Sequence, residues 1–180
     1  MDDKSRASLK YPIGIFQMPA LIDAQQLESW IAKIEAFPRL LRLEVRGLTE
    51  AELQQSYRPE GWSIVQLVHH CADSHMNSFI RFKLALTEDT PQIKPYFEDL
   101  WARLPDAERF PIESSLQLLE GLHARWCQLL RSISDSDLQK GFIHPESNEM
   151  ISLKRNIGIY AWHGEHHLAH IRIAKNKENS

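Results

Sequence analysis

His163 and His167 stand four residues apart in the stretch Trp162-His163-Gly164-Glu165-His166-His167, and side chains at that spacing on a helix share one face a turn apart. Two imidazoles so placed can chelate one divalent ion, with metal–nitrogen distances near ~2.0–2.1 Å for zinc. At about 100° per residue, both fall at the edge of the apolar stripe formed by Ile157, Tyr160, Gly164 and Leu168, which aims them inward. The stretch is not a zincin helix. Its glutamate follows the first histidine by two positions, so Glu165 points to another face and does not take the general-base role of that motif. His166 and His170 repeat the spacing but lie further round toward the polar side, a place behind the ligands or at the surface. Gly164 is costly in a helix and marks close packing by a neighbour.

Two ligands rarely hold a catalytic ion. Gln66, His70, Asp73, Ser74, Asn77 and Arg81 make a polar stripe along another segment with helical periodicity, and His70 is its natural third ligand. Three imidazoles leave a fourth position for water, the arrangement of a metal-assisted hydrolase. Further along the stripe, Asp73 offers a base or an acceptor that orients a ligand, Asn77 an amide donor, and Arg81 a fixed positive charge for an anionic substrate. The plainer account of such a stripe is a solvated face, and paired histidines also arise by chance. His69 is rotated to the other side of its helix. His75 falls on the core stripe, where a hydrogen-bonded structural histidine is the better reading. There is no compelling fourth protein ligand, although Asp73 is one turn from His70.

Four amphipathic helices must position these groups. The first starts at Asp23, with Gln26 as capping-box partner, and runs through Leu27, Trp30, Ile31, Ile34, Phe37, Leu41, Val45 and Leu48. Pro38 interrupts it, which predicts one kinked helix or two nearly collinear ones. Thr49 to Leu53 adds a short turn. Ser63 with Gln66 caps the second helix, which ends near Thr87; the third starts near Ser114 and the fourth near Ser152. Between the second and third helices, Pro91, Pro95, Pro105 and Pro111 with Tyr96 and Trp101 read as a long ordered crossover, and Ser134 with Asp137 as another capped turn. The expected fold is therefore all-α, a single-domain four-helix bundle over residues 1–180 in up-down-down-up order. No strand alternation of useful length competes.

Composition narrows the function. The 180 residues carry 21 basic and 24 acidic side chains, a formal net charge of −3, without the basic footprint that nucleic acid requires. No run of apolar residues has the length of a membrane span or signal peptide, so a cytoplasmic location is expected. Cys71 and Cys127 fall on apolar faces and do not suggest a disulfide framework. Nine histidines are many for this length, and seven of them sit in two clusters: His69, His70 and His75, then His163, His166, His167 and His170.

The strings Trp62-Ser63-Ile64-Val65-Gln66-Leu67-Val68-His69-His70, Ala72-Asp73-Ser74-His75-Met76-Asn77-Ser78, Arg81-Phe82-Lys83-Leu84, Ala161-Trp162-His163 and His166-His167-Leu168-Ala169-His170 resemble the YfiT-like metal-dependent hydrolases of the DinB-like superfamily. Tyr11-Pro12-Ile13-Gly14 and Gly141-Phe142-Ile143-His144-Pro145 extend the resemblance over nearly the whole chain. It implies an up-down-down-up bundle, a homodimer, and one divalent ion per chain, zinc or nickel, on three histidines that map onto His70, His163 and His167. Gly164-Glu165 departs from the Ser-His of close relatives and changes the rim of the site. Two other functions fit the same residues. Relatives in the superfamily include transferases of bacillithiol-type thiols, in which the open metal position would bind a thiol that loses its proton there. A non-catalytic metal-binding module would instead close the site with a fourth protein ligand. For the hydrolase and the transferase the partner is a small-molecule substrate.

Overall fold

The structure, a computed structural model, describes residues 8–176. The single-domain expectation over residues 1–180 thus includes two ends, 1–7 and 177–180, that lie outside the described residues.

Helix α1 spans Ala24–Val45, and the Asp23 carboxylate accepts the Gln26 N–H at 2.7 Å to start it. Pro38 lies inside this one helix. A capping box at Thr49 and Glu52 starts the short α2, Glu50–Leu53. Ser63 and Gln66 form the full reciprocal box at the head of α3, Ile64–Thr87, so two backbone N–H groups that the helix cannot use are satisfied. The proline-rich crossover holds two single-turn helices, α4 (Glu98–Trp101) and α5 (Pro105–Glu108). Helix α6 is Glu113–Ser132, and the Ser134–Asp137 cap leads into a 3₁₀ turn at Asp137–Gln139. Helix α7, Leu153–Lys175, is capped by Ser152.

One feature departs from expectation. Strands β1 (Gly141–His144) and β2 (Glu149–Ser152) pair antiparallel, Gly141 opposite Ser152, between α6 and α7. Four residues are too few to display a two-residue period, and their pairing depends on backbone approach. A Cβ on Gly141 would clash with the Ile151 carbonyl oxygen.

Side-chain pairs fix the helix directions. Arg42 meets Glu113 and Glu120 while Arg131 meets Glu35, so α1 and α6 are antiparallel. Lys33 meets Glu165 and Arg172 meets Glu44, so α1 and α7 are parallel. Ser78 with Asn156 and Ser74 with Tyr160 make α3 and α7 antiparallel, while His69 with Ser115 and His75 with His123 make α3 and α6 parallel. The order is up-down-down-up, which the long crossover permits. Two apolar clusters fill the bundle. One includes Trp30, Ile34, Phe82, Trp126 and Ile157; the other includes Phe37, Leu41, Leu67, Leu119 and Leu168. His75 and His123 touch both, with Phe37 on one side and Trp126 on the other. No helix among the described residues is long and apolar enough to cross a membrane.

Gly164 lets α1 approach α7, since a Cβ there would lie 2.8 Å from Phe37 Cδ2, whereas a Cβ on Gly121 in α6 would meet nothing within 4 Å. Gly164→Ala should destabilise the protein by about 1–3 kcal/mol through overpacking, and Gly121→Ala should stabilise it by up to about 1 kcal/mol. Urea denaturation of the two variants measures both signs.

Candidate metal centre

His70 comes from α3, and His163 and His167 come from successive turns of the antiparallel α7, so two crossing helices deliver three imidazoles to one point. Their Nε2 atoms converge: His70 Nε2 lies 3.3 Å and His167 Nε2 3.2 Å from His163 Nε2. One nitrogen from each ring lies within 4.8 Å of the others. Ligands about 2.0–2.1 Å from a tetrahedral ion are themselves about 3.3 Å apart, so the spacing and the neutral nitrogen donors fit a divalent ion of the zinc type. His70 and His167 are buried and His163 is partly so. Burial, followed by the repulsion of neighbouring imidazoles, pushes His70 down to about 3 and holds His163 and His167 well below the usual histidine value. All three are therefore neutral near pH 7, the state in which imidazole binds a metal.

The histidines open onto a cavity of about 460 Å³ whose wall includes Trp62, Tyr96, Tyr160, Trp162, Arg58 and Arg81. Trp62 packs its ring 4.5 Å from that of His70. Of the three stripe residues expected to assist chemistry, Arg81 lines the cavity, whereas Asp73 and Asn77 do not. The Asn77 amide donates to the Asp73 backbone carbonyl at 2.9 Å. The Asp73 carboxyl is raised to about 6 by burial and by the charge of Asp106 on α5.

His166 and His170, expected toward the polar side, are buried at 7% and 2% exposure. The residues around them come from distant parts of the chain: Tyr57 stacks on His170 at 3.9 Å, the Lys10 carbonyl lies 3.2 Å from His170 Nε2, and Tyr11 reaches the His166 ring. With His167 they make a second group of three that could hold an ion. There, however, His170 Nδ1 already faces His167 Nδ1 at 3.4 Å. His75 has the hydrogen-bonded core position expected of it, and His69 faces away, meeting Ser115 and the Phe110 carbonyl. No periodicity or spacing in the sequence placed Trp62, Arg58 or His123 in this region. Arg58 and Trp62 sit in a loop without periodicity, and His123 is a lone histidine on an otherwise ordinary amphipathic helix.

Residues 33–171 match the DinB superfamily. The chain belongs to that superfamily. A protein of Oceanobacillus iheyensis named "Putative metal-dependent hydrolase" is 54% identical over 170 residues, covering 94% of this chain and 98% of the relative. YfiT of Bacillus subtilis, named in the same words, is 46% identical over 164 residues, covering 91% and 92%. The solved structure of that YfiT superposes with a TM-score of 0.93 at 44% identity, covering 96% of this chain and 98% of its own, and is described as "a probable metal-dependent hydrolase with an unusual four-helix bundle topology". The superfamily, the bundle and its topology are thus the same in the two proteins.

The buried imidazoles couple stability to pH. Burial lowers His123, His166 and His170 from 6.5 to about 4 in the fold. Between those values the unfolded chain binds protons that the folded chain refuses, so their contribution is complete above about 6.5 and is lost as pH falls. Urea denaturation of metal-free protein should show stability level above pH 7 and falling between pH 6.5 and 4, with a slope greater than one proton.

Proposed function

We propose that this chain is a cytoplasmic metal-dependent hydrolase of a small anionic substrate, with one zinc or nickel ion held by Nε2 of His70, His163 and His167. The observation that carries this reading is the approach of the His70 and His167 Nε2 atoms to within 3.2–3.3 Å of His163 Nε2, three neutral nitrogens on the wall of a cavity. An ion bound there supplies a Lewis acid that polarises a carbonyl or phosphoryl oxygen and activates water near neutral pH. The protein's own groups do the rest. Arg81 and Arg58 place positive charge on the cavity wall for a carboxylate or phosphate, and Trp62 and Tyr160 supply apolar faces that exclude water from the reacting end. Asp73 and Asn77, outside that wall, enter the proposal only as groups that support α3.

A second reading, transfer of a bacillithiol-type thiol, is supported by the same cations. Lys10, Arg58 and Arg81 all line the cavity and suit a ligand carrying several carboxylates. A homodimer is supported by the apolar side chains that the crossover exposes, Phe97, Leu100, Leu104 and Phe110.

Elemental analysis of untagged protein tests the centre. One ion per chain is expected, lost in His70→Ala, His163→Ala and His167→Ala and kept in His144→Ala, a cavity histidine outside the cluster. Wild type that takes up neither zinc nor nickel on reconstitution would remove the metalloenzyme reading. With a hydrolysed anionic ester or amide in hand, Arg81→Ala should raise KM about tenfold or more, the loss of a charge-assisted hydrogen bond, with little change in kcat. Titration with a low-molecular-weight thiol that produced a metal–thiolate absorption would favour transfer over hydrolysis.

A further inference from the structure

Pro38 has no N–H, so the carbonyl four residues before it in α1, that of Ile34, has no helical donor. A buried carbonyl in that position needs another partner. It has one: His123 Nδ1 of α6 lies 2.6 Å from the Ile34 oxygen. A carbonyl can only accept, so His123 must carry its proton on Nδ1. His123 Nε2 lies 2.8 Å from His75 Nδ1, and His75 Nε2 lies 3.0 Å from His163 Nδ1.

These contacts form a line from a backbone oxygen to the metal centre, and its direction is fixed from one end. His75 is 0% and His123 2% exposed, and rings packed against one another at that depth are neutral. With its proton on Nδ1, a neutral His123 accepts at Nε2, so His75 donates from Nδ1. A neutral His75 then accepts at Nε2, and His163 donates from Nδ1. That leaves His163 Nε2 as a bare lone pair, the atom that faces His70 and His167.

We propose that Pro38, His123 and His75 are positioning residues that lock His163 in its Nδ1–H tautomer and so present its Nε2 lone pair before any ion arrives. The helix-breaking residue in α1 has a purpose under this account, because an N–H at position 38 would compete for the Ile34 oxygen. The arrangement has a shorter counterpart on the other α7 ligand. The Lys10 carbonyl lies 3.2 Å from His170 Nε2, and His170 Nδ1 faces His167 Nδ1 at 3.4 Å, which again directs the His167 lone pair to Nε2. Partners of this kind fix ring orientation and raise ligand basicity, and their loss typically weakens metal binding by about 10–100-fold. The purpose assigned to the chain rests on the metal-centre reading; its hydrogen-bond direction does not.

The test is nitrogen-15 NMR of histidine tautomers in the full chain stripped of metal, followed by zinc titration of the same samples. Wild type should show His163 protonated at Nδ1 and bare at Nε2. His123→Phe, which leaves His75 Nδ1–H without an acceptor, should mix the His163 tautomers and weaken zinc by about 10–100-fold. His123→Gln can donate its amide to Ile34 and accept from His75, and should stay close to wild type in both readouts. Pro38→Ala should weaken zinc while leaving the urea midpoint equal or higher, which a merely structural proline would not do. His163 protonated at Nε2 in metal-free wild type, or a folded His123→Phe with unchanged tautomer and affinity, would overturn the proposal. If His123→Phe does not fold, the wild-type tautomer and Pro38→Ala decide. The expected tautomers without zinc uptake would overturn the metal reading and uphold the chain; zinc uptake with the opposite tautomer would do the reverse.

Discussion

A buried imidazole nitrogen that has lost its water must be given another partner, and the interior between α3, α6 and α7 holds more such nitrogens than helical hydrogen bonding can satisfy. The surrounding structure answers this demand atom by atom. Ile34, Lys10, Ser115 and Phe110 each contribute an oxygen to a histidine on a different segment of the chain. Three of those four oxygens are backbone carbonyls, which stay rigidly placed because the chain around them is fixed. Among the described residues, His166 Nδ1 is the one buried imidazole nitrogen without a hydrogen-bond partner. At the cavity, the Nε2 atoms of His70 and His167 face that of His163 at 3.3 and 3.2 Å. Two bare lone pairs at that distance repel unless a proton or a cation stands between them, and one divalent ion can serve all three nitrogens at once, which is the physical core of the metal-centre proposal.

Helix packing makes this arrangement affordable. The up-down-down-up order sets α3 against both α6 and α7, so that one helix can give His70 to the cavity and His75 to the column behind it. Exposed ion pairs such as Arg131 with Glu35 and Lys33 with Glu165 record helix directions but contribute little stability in solvent. The stronger constraint is steric. Gly164 brings Phe37 against α7, and the same Phe37 ring stacks on His75 at 4.9 Å between centroids. Close packing of α1 thereby sets the position of the column as well as the density of the core.

The segment before α1 also belongs to the site. Trp162 donates its indole N–H to the Gly14 carbonyl at 3.1 Å, and Lys10 and Tyr11 line the cavity. Residues distant in sequence from every histidine in the cluster therefore shape its mouth and cover His166 and His170.

The four long helices, the caps at Asp23, Ser63 and Ser152 and the inward face of His70, His163 and His167 were legible in the sequence, because helical periodicity and capping are local, whereas the helix expected near Ser114 starts at Glu113 without a side-chain cap. The strings from Trp62 to Arg81 and from Ala161 to His170 carry the resemblance to the superfamily without any help from the tertiary structure. Local signals end there. His170 reads as polar-side by phase, yet a remote carbonyl and a tyrosine ring bury it. Asp73 shares a stripe with His70 but turns toward α5, because a stripe is wider than the cavity it borders. Pro38 announced a broken hydrogen bond, and only the tertiary structure decided that the freed oxygen would meet His123. Sequence by itself determined which side of each helix turns inward, a matter of period. Which nitrogen meets which oxygen depended on helices separated by dozens of residues coming together at fixed angles, and that information exists only in the packed chain.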